Sequence, residues 1–97
     1  MNRVSLNVGC GTDYREGFVN IDASEDLPRV DLVLDLAGGD LVKHFEAETV
    51  DSILANDVVE HLFHWEAIQI LKDFFRILVP GGDCQIRVPD AVYIIKD

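Results

Sequence analysis

The chain is built from short apolar runs, and their length limits what it can fold into. Val4–Val8, Phe18–Ile21, Val30–Leu36, Ser52–Ala55 and Cys84–Val88 are each four to seven residues long, rich in Val, Ile and Leu, and bounded by Gly, Asp, Asn or Pro. Runs of this kind read as strands buried on both faces. Between the fourth and fifth lies one long helical pattern, His64 to Leu78. There Trp65, Ile68, Leu71, Phe75 and Leu78 recur at three- and four-residue spacing, with Gln69, Lys72, Asp73 and Arg76 largely opposite. Val79-Pro80-Gly81-Gly82 ends the helix, because proline cannot continue it and glycine relieves the turn. Shorter helices are expected over Leu41–Phe45, opening near Asp40, and over Asp57–Leu62. Strands separated by helices predict an α/β fold: a doubly wound, mostly parallel sheet of about five strands with right-handed crossovers.

Two features depart from that plan. Only about nine residues, around Cys10 to Gly17, separate the first run from the second. A parallel crossover usually takes a dozen or more, so the helix after the first strand is reduced to one turn or is absent. The last residues, Ala91 to Asp97, open an apolar segment (AVYII) that is not developed further.

Composition narrows the partners. Ninety-seven residues make a single domain, and an apolar fraction of 48 % is enough for a core. Eighteen acidic and eight basic residues give a formal net charge of −10. Such a surface repels phosphate backbones and anionic headgroups, which disfavours nucleic acid and membrane surfaces, and it suits a cationic or zwitterionic small ligand. Cys10 and Cys84 form no CxxC pair and suggest neither a disulfide framework nor a metal site. No apolar run has the length of a membrane span, and MNRVSLNVGC lacks the apolar core of a signal peptide; a cytoplasmic location is expected.

The stretch with chemical content is LNVGCGTDYREGFVNID, Leu6 to Asp22. Open α/β sheets bind ligands at the carboxyl ends of their strands, where strand order reverses. Gly9 and Gly11 stand at such an end, where missing side chains let a ligand approach the backbone. Asp22 ends the next run and can accept hydrogen bonds from a ribose diol. The dinucleotide fingerprint G-x-G-x-x-G fails, since position 14 is Tyr and the phosphate-facing helix is missing.

LNVGCG, the strand-end Asp22, VDLVLDL, ANDVVEHL, the helix ending LVPGG and the strand QIRVPD follow one another in the order found in class I S-adenosylmethionine-dependent methyltransferases. The chain resembles small bacterial members of that family with GCG, EHL and PGG motifs, over nearly its whole length. The resemblance implies a Rossmann-like domain spanning residues 1–97, short of the family's C-terminal strands. It also implies S-adenosylmethionine as cofactor and no metal. The implied cofactor-binding set is Asn7, Gly9, Cys10, Gly11, Asp22, Asp35, Leu36 and Asn56. The glycine loop would line the methionine part, Asp22 the ribose, Asp35 with the Leu36 backbone the adenine edge, and Asn56 the sulfonium end. Many members carry an acidic residue where this chain has Asn7. An amide can still accept from an ammonium, without charge assistance. The cofactor has no phosphate, which accounts for the missing third glycine.

Asp57, His61 and Asp90 are the candidates for a base that deprotonates the acceptor. Each also has a plain structural alternative: a helix residue, a helix-packing imidazole and a turn carboxylate. Cys10 reads as inert lining and His64 as an ordinary helix residue; Trp65 with Phe74-Phe75 reads as core. Lacking the family's C-terminal strands, the chain would leave Cys84–Val88 as an apolar edge, which predicts self-association through it or a sequence cut short. Two other functions fit parts of the pattern: an inactive cofactor-binding fragment or subunit, and a nicotinamide-dependent oxidoreductase. No residue names the methyl acceptor.

Overall fold

The computed structural model describes residues 3–56, 64–88 and 91–96. Six strands form one sheet: β1 (Ser5–Val8), β2 (Val19–Asp22), β3 (Leu32–Val33), β4 (Val50–Asn56), β5 (Leu78–Val88) and β6 (Ala91–Lys96). Among the described residues two helices, α1 (Asp40–His44) and α2 (His64–Ile77), lie between β3 and β4 and between β4 and β5. The strand order is β3-β2-β1-β4-β5-β6, and every pair is parallel except β5 with β6. The chain steps outward from β1 to β3, then returns to place β4 on the other side of β1. Strand order therefore reverses between β1 and β4, and the carboxyl ends of both strands open on that switch point.

Register decides which side chains make the core. Leu6 aligns with Ile53, and Ile53 with Cys84; Val8 aligns with Ile21 and Ala55, and Ala55 with Ile86. These residues share one face by the two-residue alternation of strands. They are buried in one cluster with Leu41 from α1 and Ile70, Phe74 and Ile77 from α2. The opposite face carries Ser5, Asn7, Asn20, Ser52 and Leu54. Among the described residues no helix joins β1 to β2; the connection crosses as a turn-rich loop.

Four sequence expectations are corrected. The sheet has six strands, not about five, because Ala91–Lys96 returns as a hairpin along β5, from Val88↔Ala91 to Asp83↔Lys96. Cys84–Val88 is consequently no edge: its ladder is occupied on both sides, and self-association has no open backbone there. The outer strand is β6, where Val92, Tyr93 and Ile94 are exposed.

The inward stripe of α2 is Ile70, Asp73, Phe74 and Ile77, whereas Trp65 is 68 % exposed and Ile68 is also exposed. The helix carries two overlapping apolar stripes, and docking on the sheet selects the one displaced from the predicted face. Finally, β3 is reduced to two residues inside the long run Val30–Leu36, with Leu34 and Leu36 packing half-buried against the core. The helix predicted over Asp57–Leu62 lies outside the described residues.

Candidate functional site

The loop leaving β1 turns on two glycines in left-handed conformation, Gly9 (φ 68°) and Gly11 (φ 53°), where an L side chain would be strained. A Cβ placed on Gly11 meets no protein atom within 4 Å, so the space before this backbone is open.

The N–H groups at the start of the loop point back into the protein. Gly9 N–H and Cys10 N–H donate to Ile21 O (2.8 and 3.1 Å), Gly11 N–H to Asp22 Oδ2 (3.0 Å) and Asp13 N–H to Cys10 O (2.8 Å). Phosphate-binding loops work by aiming unused N–H groups at the anion. This loop has those four groups already engaged, so what it offers a ligand is open space beside carbonyls and carboxylates.

Asp22 is half-buried at the end of β2. Oδ2 accepts from Gly11 N–H and Oδ1 from Ser24 N–H (3.0 Å). Each carboxylate oxygen has about two acceptor sites, so one per oxygen remains after these bonds have oriented the group. The local field is negative: burial first, then Asp22, Asp31 and Asp13, push the Cys10 thiol above its ordinary pKa. With 3 % of its surface exposed and its Sγ against Gly11 O (3.6 Å), Cys10 is lining, not a thiolate nucleophile.

Beneath the loop lie two fully buried amides, Asn7 on β1 and Asn20 on β2, paired across the sheet. Asn7 Nδ2 donates to Asn20 Oδ1 (2.8 Å) and to Asp13 O (2.7 Å), while Asn7 Oδ1 is buried without a partner. Asn20 Oδ1 also accepts from Arg15 N–H (2.9 Å), and its Nδ2 reaches Arg15 O, Phe18 O and Asp31 Oδ2, each at 3.0 Å. The Asn20 N–H donates to Asp31 Oδ2 as well (2.8 Å), and Tyr14 Oη donates to Asp31 Oδ1 (3.1 Å). These bonds at Asn20 hold the Asp31 carboxyl below its ordinary pKa.

Of the residues predicted from sequence, Gly9, Cys10, Gly11, Asp22, Asp35 and Asn56 are brought to one end of the sheet. Asn56 follows the Ala55 that pairs with Val8, so its backbone stands beside the start of the glycine loop. Asp35 follows closely on Val33, the partner of Asp22. Its N–H donates to Asp40 Oδ2 (2.8 Å), and its carboxylate is exposed. Leu36 is turned partly into the core. Asn7 is underneath and fully buried, its side-chain oxygen without a hydrogen-bond partner. Asp57, His61 and Asp90 lie outside the described residues.

Asn20 and Asp31 were not singled out by sequence. The available signal was a phase relation: Asn7 stands two residues before Gly9 and Asn20 two before Asp22, so both face away from the apolar core. A separate hollow of about 340 Å³ flanks the site, lined in part by Tyr14, Ser24, Glu25, Arg29 and Val33. The Arg29 guanidinium lies 3.7 Å from the centre of the Tyr14 ring there. Among the described residues no helix is long and apolar enough to cross a membrane, and no three His, Cys, Asp or Glu side chains are grouped as metal ligands.

Comparison with known proteins agrees with this geometry. A family profile described as a methyltransferase domain matches residues 8–86. Among solved structures, the chain is similar to a SAM-dependent methyltransferase from Archaeoglobus fulgidus, with a TM-score of 0.73 and 17 % identity. That match covers 87 % of this chain and 43 % of the other, so the chain spans less than half that protein's length. No curated protein matches the sequence.

Proposed function

This chain belongs to the methyltransferase-domain family, and we propose that it binds S-adenosylmethionine at the β1/β4 switch point and transfers the methyl group to an acceptor. The observation carrying this reading is that the glycine loop uses its N–H groups internally amid carboxylates. A phosphate-bearing dinucleotide needs the opposite arrangement, whereas a ligand with an ammonium and a sulfonium is served by this one. That also sets the nicotinamide reading aside.

The residues fit the cofactor. Asp22, oriented by Gly11 and Ser24, would accept from the two ribose hydroxyls. Gly9, Cys10 and Gly11 would flank the methionine part through their backbone, and the Asn7 oxygen is an acceptor suited to the ammonium. Asp35 and Leu36 would meet the adenine edge and Asn56 the sulfonium end. The bound cofactor supplies an electrophilic methyl carbon. That carbon would be offered to an acceptor's lone pair, and on this chain Asp57, His61 and Asp90 are the candidates for the base that would take up the acceptor's proton. Two free, buried cysteines suit a reducing cytoplasm.

Calorimetric titration with S-adenosylhomocysteine tests the reading, with Asp22→Ala beside it. Saturable heat is expected in the wild type, and at least a hundredfold weaker binding in the variant. Removing a charged acceptor from two hydroxyls costs about 1.5–3 kcal/mol for each bond. A folded wild type that gives no heat would refute the proposal. Binding without methyl transfer to any acceptor would leave the fragment or subunit reading.

A further inference from the structure

We infer that Asn20 is a positioning residue of the proposed cofactor site: it fixes the course of the glycine loop and aims the Asn7 amide. The inference rests on the cofactor reading above, but it concerns a residue to which that reading gives no role.

The crossover from β1 to β2 has no helix among the described residues to give it shape. In place of helix packing, residues 9–18 are tied down by individual hydrogen bonds. Ile21 O and Asp22 hold the start, at Gly9, Cys10 and Gly11. Beyond that, the two buried amides reach up from the strands: Asn7 grips Asp13 O, and Asn20 grips Arg15 through both N–H and C=O and Phe18 through C=O, alongside the Tyr14 bond to Asp31 and the loop's own turns. Asn20 thus anchors the middle and the end of the loop, from a rigid strand and two residues from Asp22.

Its second effect falls on Asn7. An amide can be turned either way, and Asn20 Oδ1 selects the orientation in which Asn7 presents its NH₂ to the loop side. Asn7 Oδ1 is then left as a buried acceptor with no protein partner. Leaving such an atom unmet is costly, and a ligand that donates to it is correspondingly favoured. The chemistry required is a hydrogen-bond donor placed beyond the ribose, which the ammonium of the methionine part supplies and adenosine, ending at its 5′-hydroxyl, does not. Asn20 would therefore govern recognition of the amino-acid half of the ligand, while Asp22 keeps the ribose through its own contact with Ser24.

This separates positioning from mere stability, because the two halves of the ligand can be measured independently. Asn20→Leu removes every side-chain bond at similar volume. Asn20→Asp keeps the two bonds accepted from Asn7 and Arg15 but sets a carboxylate against the Arg15 and Phe18 carbonyls and Asp31. Dissociation constants for S-adenosylhomocysteine and for adenosine are measured by titration, below each variant's thermal midpoint. The expected result is a tenfold or greater fall in the preference for S-adenosylhomocysteine over adenosine, with adenosine affinity within threefold of wild type. If Asn20→Leu does not fold, Asn20→Asp carries the comparison. An unchanged preference in a folded variant overturns the inference. A wild type that binds adenosine and S-adenosylhomocysteine equally overturns it too, while leaving cofactor binding standing. A wild type that binds neither removes the cofactor reading, and the inference with it.

Discussion

Gly82→Ala tests whether the Pro-Gly-Gly turn is understood as packing. The sheet pairs Val50 with Leu78 and then Ser52 with Asp83, so residues 79–82 bulge out opposite Asp51 alone. Gly82 sits at the throat of that bulge. A Cβ there would lie 2.9 Å from Val79 O, 3.0 Å from Asp51 O and 3.2 Å from Leu78 Cδ2. Two of the three are backbone carbonyls, one of them on β4, so relief requires moving paired strands and not swinging a side chain. Overpacking of this kind costs about 1–3 kcal/mol. The gain from restricting the unfolded chain offsets less than about 1 kcal/mol of it. Against a total of about 5–15 kcal/mol for a domain of this size, a net loss near 2 kcal/mol lowers the thermal midpoint by about 8–16 °C. The neighbour gives a control with a different cause: Gly81 has φ 84° and an unobstructed Cβ direction, so alanine there meets strain alone. That strain is worth about 1–2 kcal/mol. Urea and thermal unfolding of both variants measure the difference. Affinity for S-adenosylhomocysteine should not change, since Gly82 lies at the end of the sheet away from Asp22. A Gly82→Ala midpoint equal to wild type would refute the packing argument.

Further outcomes concern acid, thiols and the helix face. Asp31 is held below its ordinary value of 3.8, chiefly by the Asn20 N–H and amide, so its contribution is present above 3.8 and is lost as pH falls through the lower folded value. The stability gap between wild type and Asp31→Ala should be full at pH 6 and close below 3.8; a gap constant down to pH 3 would count against the assignment. Burial, helped by Asp83, pushes the Cys84 thiol up to about 12. Stability from the un-ionised thiol is therefore present below the unfolded thiol range and lost as pH climbs toward 12. Both cysteines should resist alkylation at pH 8 in the native protein and react in urea; rapid native labelling of either would contradict the packing. Trp65, the chain's one tryptophan, should emit at long wavelength and be quenched readily by acrylamide, whereas a blue-shifted, protected spectrum would return it to the core.

The residues explain what was legible. The Val/Ile/Leu runs located strands through the residues that face the core, such as Leu6, Val8, Ile53 and Ile86, although the other face carries Ser5, Asn7, Asn20 and Ser52. Gly9 and Gly11 located the carboxyl end because a turn at positive φ favours glycine. The face of α2 was only partly legible: Leu71, Phe75 and Leu78 pack on the core as expected, but Ile70, Phe74 and Ile77 form an equally regular stripe, and docking on the sheet buries these and leaves Trp65 and Ile68 exposed. The hairpin strand was missed because AVYIIK, read alone, is only a short apolar segment, and its strand character rests on pairing with β5. Asn20 was missed for the same reason, its meaning residing in partners on a strand, a loop and the residue before β3.

Residues 9–18 cover the polar face of β1 and β2 and would also wall the proposed ligand site, so one segment would complete the fold and the pocket together. Folding and occupancy are then thermodynamically linked. At a hundredfold excess of ligand over its dissociation constant the native state gains about 2.7 kcal/mol. On a domain of this size that is roughly 10–20 °C of thermal midpoint. Depletion of the ligand would thus lower the number of intact molecules as well as the number loaded, and clearance of unliganded copies by proteolysis would make abundance itself follow supply.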